Sequence, residues 1–283
     1  VGFPVVVQSG MEAGGKKAFL TLDNGNEIFL DKQLLLKEED GTVIRNTQIG
    51  EVSYQDEGGI PLDSVTRYNT LFIPRGGEYQ ITLADGTKVW MNSDSKLIFP
   101  VRFPGNKREV ILEGEAYFEV AHDTTRPFCV KACGIDIRAT GTAFNVMAYS
   151  DEPECKVTLV EGGVNIEKNE FLISQLTPRM QFCIDLKTQE YKTTEVDLRV
   201  STAWKDGIFF FEQESFRSII AKLSRWYDIT IVCNTPDLYD YRFSGEIRKY
   251  ENALKVLDML KLTNEITYSL QADHSIIVFK IND

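Results

Sequence analysis

The chain has 283 residues, of which 43% are hydrophobic and 26% are charged. These values are ordinary for a folded globular protein and exclude a disordered or collagen-like chain. The length exceeds that of a typical single domain, roughly 100 to 200 residues, so we expect two units. The net charge of −11 argues against nucleic acid or an anionic membrane surface as a partner, because phosphate binding needs clustered Lys and Arg.

The ends of the sequence and its cysteines bear on where the chain works. It opens without an initiator methionine or a signal-peptide pattern, and no run approaches the ~18 consecutive apolar residues of a membrane span. We therefore expect a fragment of a longer precursor, with anchor and targeting segments outside it. The five cysteines are an odd number, so we predict free thiols packed as small hydrophobes and no disulfide framework.

Most of the first two hundred residues alternate between apolar and polar with period two, and Gly, Asn and Asp punctuate them. Tyr79 to Leu83, the turn residues Asp85 and Gly86, and Lys88 to Met91 together predict a hairpin. Residues 67–200 therefore predict an all-β domain, either a sandwich or a short twisted β-solenoid. No long helix is expected before residue 195.

An internal similarity extends this prediction toward the start of the chain. Leu20 to Leu30 aligns with Ile81 to Met91 at an offset of 61 residues, with Asn24-Gly25 opposite Asp85-Gly86. Both segments predict the same hairpin, although any two hairpins share alternating apolar residues around a turn. We interpret residues 1–66 as an N-terminal β extension of the domain.

The pattern changes near residues 194–201, a charged stretch with little periodicity. Beyond it Ser215 can cap a helix whose apolar residues, from Phe216 to Trp226, recur at helical spacing. A second set of apolar residues at helical spacing begins at Ala253 and predicts a second helix. The predicted order β-α-β-β-α-β-β describes a C-terminal α+β domain over residues 203–283.

The acidic run from Glu113 to Asp123 invites comparison with a glycosidase. Such enzymes need carboxyl groups about 5.5 Å apart when retaining and about 6.5–9.5 Å apart when inverting. In an extended strand Glu115 and Glu119 stand roughly 13 Å apart, whereas the pair at 113 and 115, at about 7 Å, remains geometrically possible. The alternation with apolar residues predicts instead one face on the core and one charged face in water. We expect no catalytic role for Glu113, Glu115, Glu119, His122 or Asp123.

Other chemical motifs are weak. The two histidines, His122 and His274, do not lie at ligand spacing from each other, so a metal site would need ligands from separate strands. The glycine pairs lack the spacing of a phosphate-binding loop. We predict no catalytic residue, no cofactor and no metal.

Several motifs in order resemble the FecR family of sigma-factor regulators, in the form common in Bacteroidetes. The resemblance is close over residues 71–283 and weak before them. Two departures are Met91, where Leu is usual, and Ala143, where Ser or Gln is common. The segments that carry the resemblance are Arg75 to Asn92, Leu97 to Pro100, Arg108 to Val120, Pro127-Phe128, Gly141 to Val146, Val157 to Gly162, Ala203 to Gly207, Arg225 to Asp228 and Phe243 to Gly245.

The resemblance implies a regulator without chemistry of its own. It implies a precursor with a cytoplasmic domain that holds an extracytoplasmic-function (ECF) sigma factor, one membrane helix, and this chain in the periplasm. It further implies that an outer-membrane TonB-dependent transporter, having bound an iron chelate or a glycan, offers its N-terminal signalling domain to this chain. The C-terminal domain is similar to the short N-terminal domains of secretins and TonB-dependent receptors.

We place the partner surface on the C-terminal domain, because a small βαββαββ unit exposes strand edges that can template a strand from another chain. We favour the segment from Tyr239 to Glu246, in which one row of side chains can pack inward while the other row contacts the partner. The candidate interface residues are Tyr239, Tyr241, Arg242, Phe243, Ser244 and Glu246. Alternatives are a carbohydrate-binding β module, which would need an exposed aromatic platform, and a glycosidase built on Glu113 and Glu115.

Overall fold

The structure is a computed structural model, in which we describe residues 11–38, 41–57, 66–263, 265–271 and 275–281. Strands make up 52% and helices 13% of it, which confirms a mainly β fold with a small C-terminal α+β region. The chain divides into two compact units. We call residues 16–205 the β unit, and the described residues of 206–283 together with 11–15 the C-terminal unit.

The described part of the β unit is built from strands, followed by a four-residue α-helix, α1 (Arg199–Thr202), and by the start of a 3-10 helix at Ala203–Asp206. Its strands are β1 (Gly15–Lys16), β2 (Phe19–Thr21), β3 (Glu27–Phe29), β4 (Leu34–Lys37), β5 (Thr42–Gln48), β6 (Glu51–Asp56), β7 (Tyr68–Ile73), β8 (Gly77–Thr82), β9 (Lys88–Met91), β10 (Ser95–Pro100), β11 (Arg108–Glu119), β12 (Phe128–Ala132), β13 (Ile135–Ala139), β14 (Ala143–Ala148), β15 (Glu154–Glu161), β16 (Val164–Lys168), β17 (Phe171–Leu176), β18 (Met180–Asp185) and β19 (Tyr191–Glu195). Before residue 195 the described part of the chain contains no helix, as predicted.

These strands form two faces that enclose one core. The first face has the order β3-β2-β7-β10-β11-β12-β13-β16-β17. The second has the order β4-β5-β6-β8-β9-β11-β14-β15-β18-β19. Because β11 belongs to both, the faces are parts of one continuous sheet.

β11 changes partners at Gly114. Before it, the strand pairs with β10 and β12; from it onward, the strand pairs with β14 and β9. Gly114 has a φ of 98°, and a Cβ there would lie 2.6 Å from the Cα of Ser95. Only glycine suits this bend, since it combines a left-handed backbone with a close approach of β10.

The core is a single cluster to which both faces contribute. Leu71, Leu97 and Ile137 come from the first face, and Ile81 and Phe144 from the second; none of the five is measurably exposed. Inward and outward side chains alternate along the strands, as the period of two in the sequence predicts. The burial of these apolar side chains is the main favourable term in folding the unit.

The predicted internal repeat is present as two equivalent hairpins, β2–β3 and β8–β9. In each turn the same bonds recur, from the amide of Gly25 to Leu22 O and from that of Gly86 to Leu83 O, both 2.9 Å. The two glycines have φ values of 83° and 85°. The hairpins lie in different faces, so the repeat is one of local turn chemistry.

The C-terminal unit has the predicted order β-α-β-β-α-β-β, divided between two sheets. One sheet pairs β20 with β22, and the other has the order β21-β24-β23. Met11 belongs to the core of this unit. The elements are β20 (Ile208–Ser215), α2 (Phe216–Tyr227), β21 (Ile231–Cys233), β22 (Arg242–Arg248), α3 (Ala253–Lys261), β23 (Ile266–Leu270) and β24 (Ile276–Lys280).

Helix α2 begins and ends where its sequence indicates. The Ser215 hydroxyl accepts a bond from the Ser218 amide, and Asp228 closes the helix with a φ of 52°. Trp226 is 1% exposed and donates from Nε1 to Lys249 O over 2.6 Å. The predicted helix cap is confirmed, and the apolar residues at helical spacing include the buried Trp226.

Candidate functional site

The predicted partner segment consists of a turn followed by a strand at a sheet edge. Residues Pro236–Asp240 form a 3-10 helix, and β22 follows after Tyr241. β22 pairs with β20, and no other described strand pairs with its second edge. A strand from another chain could therefore be added along this edge.

Side chains of β22 alternate between core and solvent. Phe243 and Ile247 are buried, whereas Arg242, Ser244 and Glu246 are exposed. The alternation follows from the strand period of two. The three polar candidates therefore share the outward row, and Phe243 is a core residue that anchors the strand.

The two tyrosines of the segment are half-buried and pack against the core of the unit. The Arg217 guanidinium lies 4.2 Å from the ring centroid of Tyr239, and the Lys280 ammonium lies 5.2 Å from that of Tyr241. Each pair is a cation–π contact. The hydrogen bond with Tyr241 raises the pKa of Lys280. Cations of this unit thus already contact the two aromatic rings.

Two of the three outward residues of β22 are bound to a bulge in β20. At Gln213, where φ is 47°, the register between the strands shifts. Ser244 Oγ accepts from the Gln213 amide over 2.8 Å, and Arg242 Nη1 donates to Gln213 O over 2.7 Å. Glu246 forms no hydrogen bond or ion pair within the described chain, so it is the one of the three whose side chain is free. A bulge of this kind leaves no signal in the sequence.

Within the acidic run on β11, Glu115 is buried, although the sequence predicts that its charged face lies in water. This residue is only 7% exposed. Its carboxylate accepts from Asn92 Nδ2 over 2.8 Å and from Asn145 Nδ2 over 3.0 Å. Buried carboxylates of this kind are structural when donors satisfy both oxygens.

Residues Arg199–Lys205 pack on the outer side of β11 near Glu115, and we call them the covering segment. The apolar–polar alternation of β11 could not predict this contact. Trp204 Nε1 donates to Asn145 Oδ1 over 3.2 Å, and the Lys205 ammonium lies 5.2 Å from the ring centroid of Tyr117. The expectation that the charged face of β11 lies in water is therefore wrong for Glu115 and for its neighbour on that face, Tyr117, which are both buried. They point away from the core, as predicted, but the end of the same unit buries them.

The remaining polar residues of the run are divided between an ion pair, a turn and a cleft. Exposed Glu113 forms an ion pair of 2.8 Å with Lys96. Asp123 closes a turn, where the Thr125 hydroxyl and then the Arg126 guanidinium hold the pKa of its carboxyl well below the usual range. An open cleft of about 440 Å³ lies on the outer surface of the second face, and its charged or ring-bearing lining residues are Lys88, Tyr117, Glu119, His122 and Glu161.

The structure was also searched for side chains that could bind a metal ion. Among the described residues no group of three or more His, Cys, Asp or Glu side chains could hold a metal ion. His122 lies beside Gly141, where a Cβ would approach its Nδ1 to 2.4 Å. His274 lies outside the described residues.

Arg108, the first residue of the segment Arg108 to Val120 that carries the family resemblance, forms a buried ion pair. Arg108 is 1% exposed and donates from Nη1 to the Asp85 carboxylate over 2.8 Å. It also donates to the carbonyls of Ala121 and Arg126, each over 2.8 Å, and lies over the Phe128 ring. This single side chain therefore joins the β8–β9 turn to the ends of β11 and β12.

An aromatic row crosses the outer surface of the first face. Phe29 of β3, Phe19 of β2 and Phe72 of β7 occupy one register row. Phe29 is 45% and Phe72 39% exposed, and the ring of Phe19 lies 4.8 Å from one and 6.4 Å from the other. Such a row is the exposed aromatic platform that the carbohydrate-binding alternative requires.

No helix among the described residues combines the length and apolar character that a membrane crossing demands. No curated protein matches the chain. Two crystal structures, each of a protein from Parabacteroides distasonis assigned as an anti-sigma factor, are similar to it. Each has a TM-score of 0.70 and 28% sequence identity, and the alignments cover 75% and 76% of this chain and 99% and 100% of theirs.

Two family models match the chain in the order that the motifs indicate. The model described as FecR protein matches residues 69–165, which contain all but the first residue of β7, the strands β8 to β15 and the Arg108–Asp85 ion pair. The model described as FecR, C-terminal matches residues 208–278, which contain β20 to the greater part of β24. Together with the similarity to the two solved structures, these matches show that the chain belongs to the FecR family.

Proposed function

We propose that this chain is the sensor region of a transmembrane anti-sigma factor. In this proposal it relays the ligand status of an outer-membrane TonB-dependent transporter to a cytoplasmic ECF sigma factor through protein contacts. Membership of the FecR family and similarity to a protein assigned as an anti-sigma factor support a sensor and anti-sigma role. The observation that carries the contact mechanism is the edge of β22 along which no other described strand pairs.

The relay needs no bond-making chemistry. A partner shifts a sensor by binding one of its arrangements more tightly than another. The acidic residues that could suggest hydrolysis have structural partners instead: Glu115 bonds two asparagines, and Glu113 pairs with Lys96. We therefore propose a regulatory protein that is not an enzyme.

The location and partners follow from the same proposal. The chain works in the periplasm, and a membrane helix and a cytoplasmic domain outside this sequence connect it to the sigma factor. Its direct partner is the N-terminal signalling domain of the transporter, which binds by adding a strand to β22. The nutrient is an iron chelate or a glycan.

The test compares two substitutions at one position of β22. Ser244→Pro deletes a backbone donor, whereas Ser244→Ala keeps the donor and removes only the hydroxyl that Gln213 uses. We expect calorimetric titration with the transporter's signalling domain to show affinity at least about tenfold weaker for the proline variant. The alanine variant should bind like the parent chain, with circular dichroism showing that both are folded.

A charge reversal tests the side chains of the same strand. Glu246→Lys changes the free outward residue, and Glu265→Lys makes the same change at an exposed residue just before β23. We expect the substitution at 246 to change the affinity and the one at 265 to leave it unchanged. A folded Ser244→Pro variant with undiminished affinity, or equal effects at 246 and 265, would rule out this edge.

The aromatic row gives a second candidate function, binding of a glycan by stacking on Phe29, Phe19 and Phe72. A glycan array probed with the chain and with its Phe72→Ala variant tests it. Binding that the variant loses would support the second candidate. Absence of binding to every glycan would contradict it and leave the β22 proposal unaffected.

A further inference from the structure

The start of the described chain is held by the unit that comes last in the sequence. Residues 11–15 belong to the C-terminal unit, although the whole β unit separates them from its other residues. Met11 is 1% exposed and lies in the core of the C-terminal unit, and Ala13 packs against the same core. We call residues 11–13 the strap.

A backbone hydrogen bond attaches the strap to helix α3. The Met11 carbonyl accepts from the amide of Ala253, the first residue of the helix, over 3.2 Å. The first amides of a helix have no partner within it. The side chain of Asn252, the N-cap residue, accepts from the amide of Leu254 over 2.9 Å. The strap and the N-cap side chain therefore complete the cap of α3 together.

The chain passes from the strap to the β unit through two glycines. Gly14 and Gly15 follow the strap, and a Cβ at residue 15 would meet nothing within 4 Å. Lys16 is then fixed in the β unit, where its ammonium forms an ion pair of 2.7 Å with Glu78. Glycine has access to more backbone conformations than any other residue. The two glycines therefore allow the strap to move while Lys16 stays bound.

The strap lacks the regular bonding of the elements around it. Residues 11–14 lie in neither a helix nor a strand, and Glu12, between Met11 and Ala13, is exposed. Met11 is thus the one fully buried anchor of a short irregular segment. Segments with few buried contacts open at a lower free energy than the core of their unit. Local opening of the strap is the motion that this arrangement favours.

We propose that the strap is a detachable link, which docks Met11 in the C-terminal unit in one state and releases it in another while both units stay folded. When the strap is docked, the start of the described chain is held by the unit that carries β22. When the strap is released, the chain is held by the β unit at Lys16. A partner of the C-terminal unit shifts the strap if it binds the two states with different affinities.

The role of the link rests on the proposed function, whereas its detachment does not. In the proposed function the membrane helix precedes this sequence. Docking of the strap then connects the membrane side directly to the partner-binding unit, and release leaves the β unit as the connection. A signal received at β22 therefore has a path to the membrane that bypasses the β unit.

Oxidation of methionine by dilute hydrogen peroxide tests the detachment on the whole parent chain, because release of the strap exposes the Met11 thioether. Peptide mapping by mass spectrometry follows the sulfoxide at Met11, at Met91 in the core of the β unit and at Met259, which is 45% exposed. We expect Met11 to be oxidised at least about tenfold faster than Met91. Low concentrations of urea should leave the Met11 rate unchanged, since local opening exposes little surface.

Two substitutions test the anchor with a protease that cleaves after glutamate. Met11→Asp removes the apolar anchor, and Met259→Asp makes the same change at an exposed methionine of the same unit. We expect cleavage after Glu12 to be at least about tenfold faster than in the parent chain for the first variant, because a released segment is open to a protease. The second variant should be cleaved like the parent, with circular dichroism showing that both are folded.

The proposal is overturned if Met11 is oxidised only as the C-terminal unit unfolds in urea, because Met11 is then a permanent part of the core. Equal cleavage after Glu12 in the two folded variants would also overturn it. The oxidation assay needs no variant, so it decides the matter even if Met11→Asp fails to fold. No transporter domain enters either assay, so failure here and failure of the β22 contact are separate results.

Discussion

At the scale of single residues, the β unit depends on a pair of opposite charges that is buried away from water. Arg108 and Asp85 form an ion pair in which both side chains are at most 5% exposed. Removing one partner of such a pair leaves the other charge buried without a counter-charge, in an environment that solvates it poorly. The exposed pair of Lys96 and Glu113, in contrast, loses little when it is broken.

Arg108→Ala should therefore lower the free energy of unfolding of the β unit by about 3–5 kcal/mol. Lys96→Ala should lower it by at most about 1 kcal/mol. Urea unfolding followed by circular dichroism measures both on the same chain. Equal losses for the two variants would show that the buried pair contributes no more than the exposed one.

The roles of residues whose partners lie nearby in the sequence could be predicted from the sequence. The roles of residues whose partners lie far along the chain could not. Ser215 signals its helix cap and Gly86 its turn because the relevant partners lie within three residues. Buried Glu115 is linked by hydrogen bonds through Asn145 to Trp204, 89 positions later in the chain. No period in the sequence of β11 contains that information.

At the scale of elements, the strand pattern was predictable and the way strands share faces was not. Period two predicts inward and outward residues along β11 correctly, yet gives no sign that the strand changes partners at Gly114. Likewise it predicted an outward row on β22, but not the bulge at Gln213 that binds part of that row. Partner choice depends on the whole sheet, which local periodicity does not describe.

Gly114→Ala should destabilise the β unit by about 2 kcal/mol or more, because it adds backbone strain to a clash with Ser95. Gly163→Ala is the matched control, since its backbone is not left-handed and a Cβ there meets nothing within 4 Å. Thermal melting of the two variants measures the difference. Equal melting temperatures would mean that the bend of β11 tolerates a side chain.

At the scale of the whole molecule, the order of a β region followed by an α+β region was predictable because the hydrophobic period changes from two to 3.6. The structure adds the covering segment, which follows the last strand of the β unit and packs back on it. Ser201 contributes as well, with its hydroxyl 2.9 Å from that of Thr158. The family motif that contains Trp204 thus includes a residue of the β unit's own packing.

Two truncations test this role. A chain of residues 16–205 should fold as a cooperative unit, and a chain of residues 16–198 should be less stable by about 3–5 kcal/mol, the usual cost of losing a buried tryptophan. Trp204→Ala in the longer chain should reproduce most of that loss. Identical urea midpoints for the two truncations would show that the covering segment does not stabilise the unit.

The sharing of β11 between the faces also limits how the chain can change in length. One residue inserted in β11 near Gly114 would shift the register toward β10 and β12 or toward β14 and β9, and so turn a set of core side chains outward. A residue inserted at the Asn169-Glu170 turn lengthens one hairpin at the end of the first face. Insertions and deletions among relatives should therefore gather at the terminal turns and spare β11.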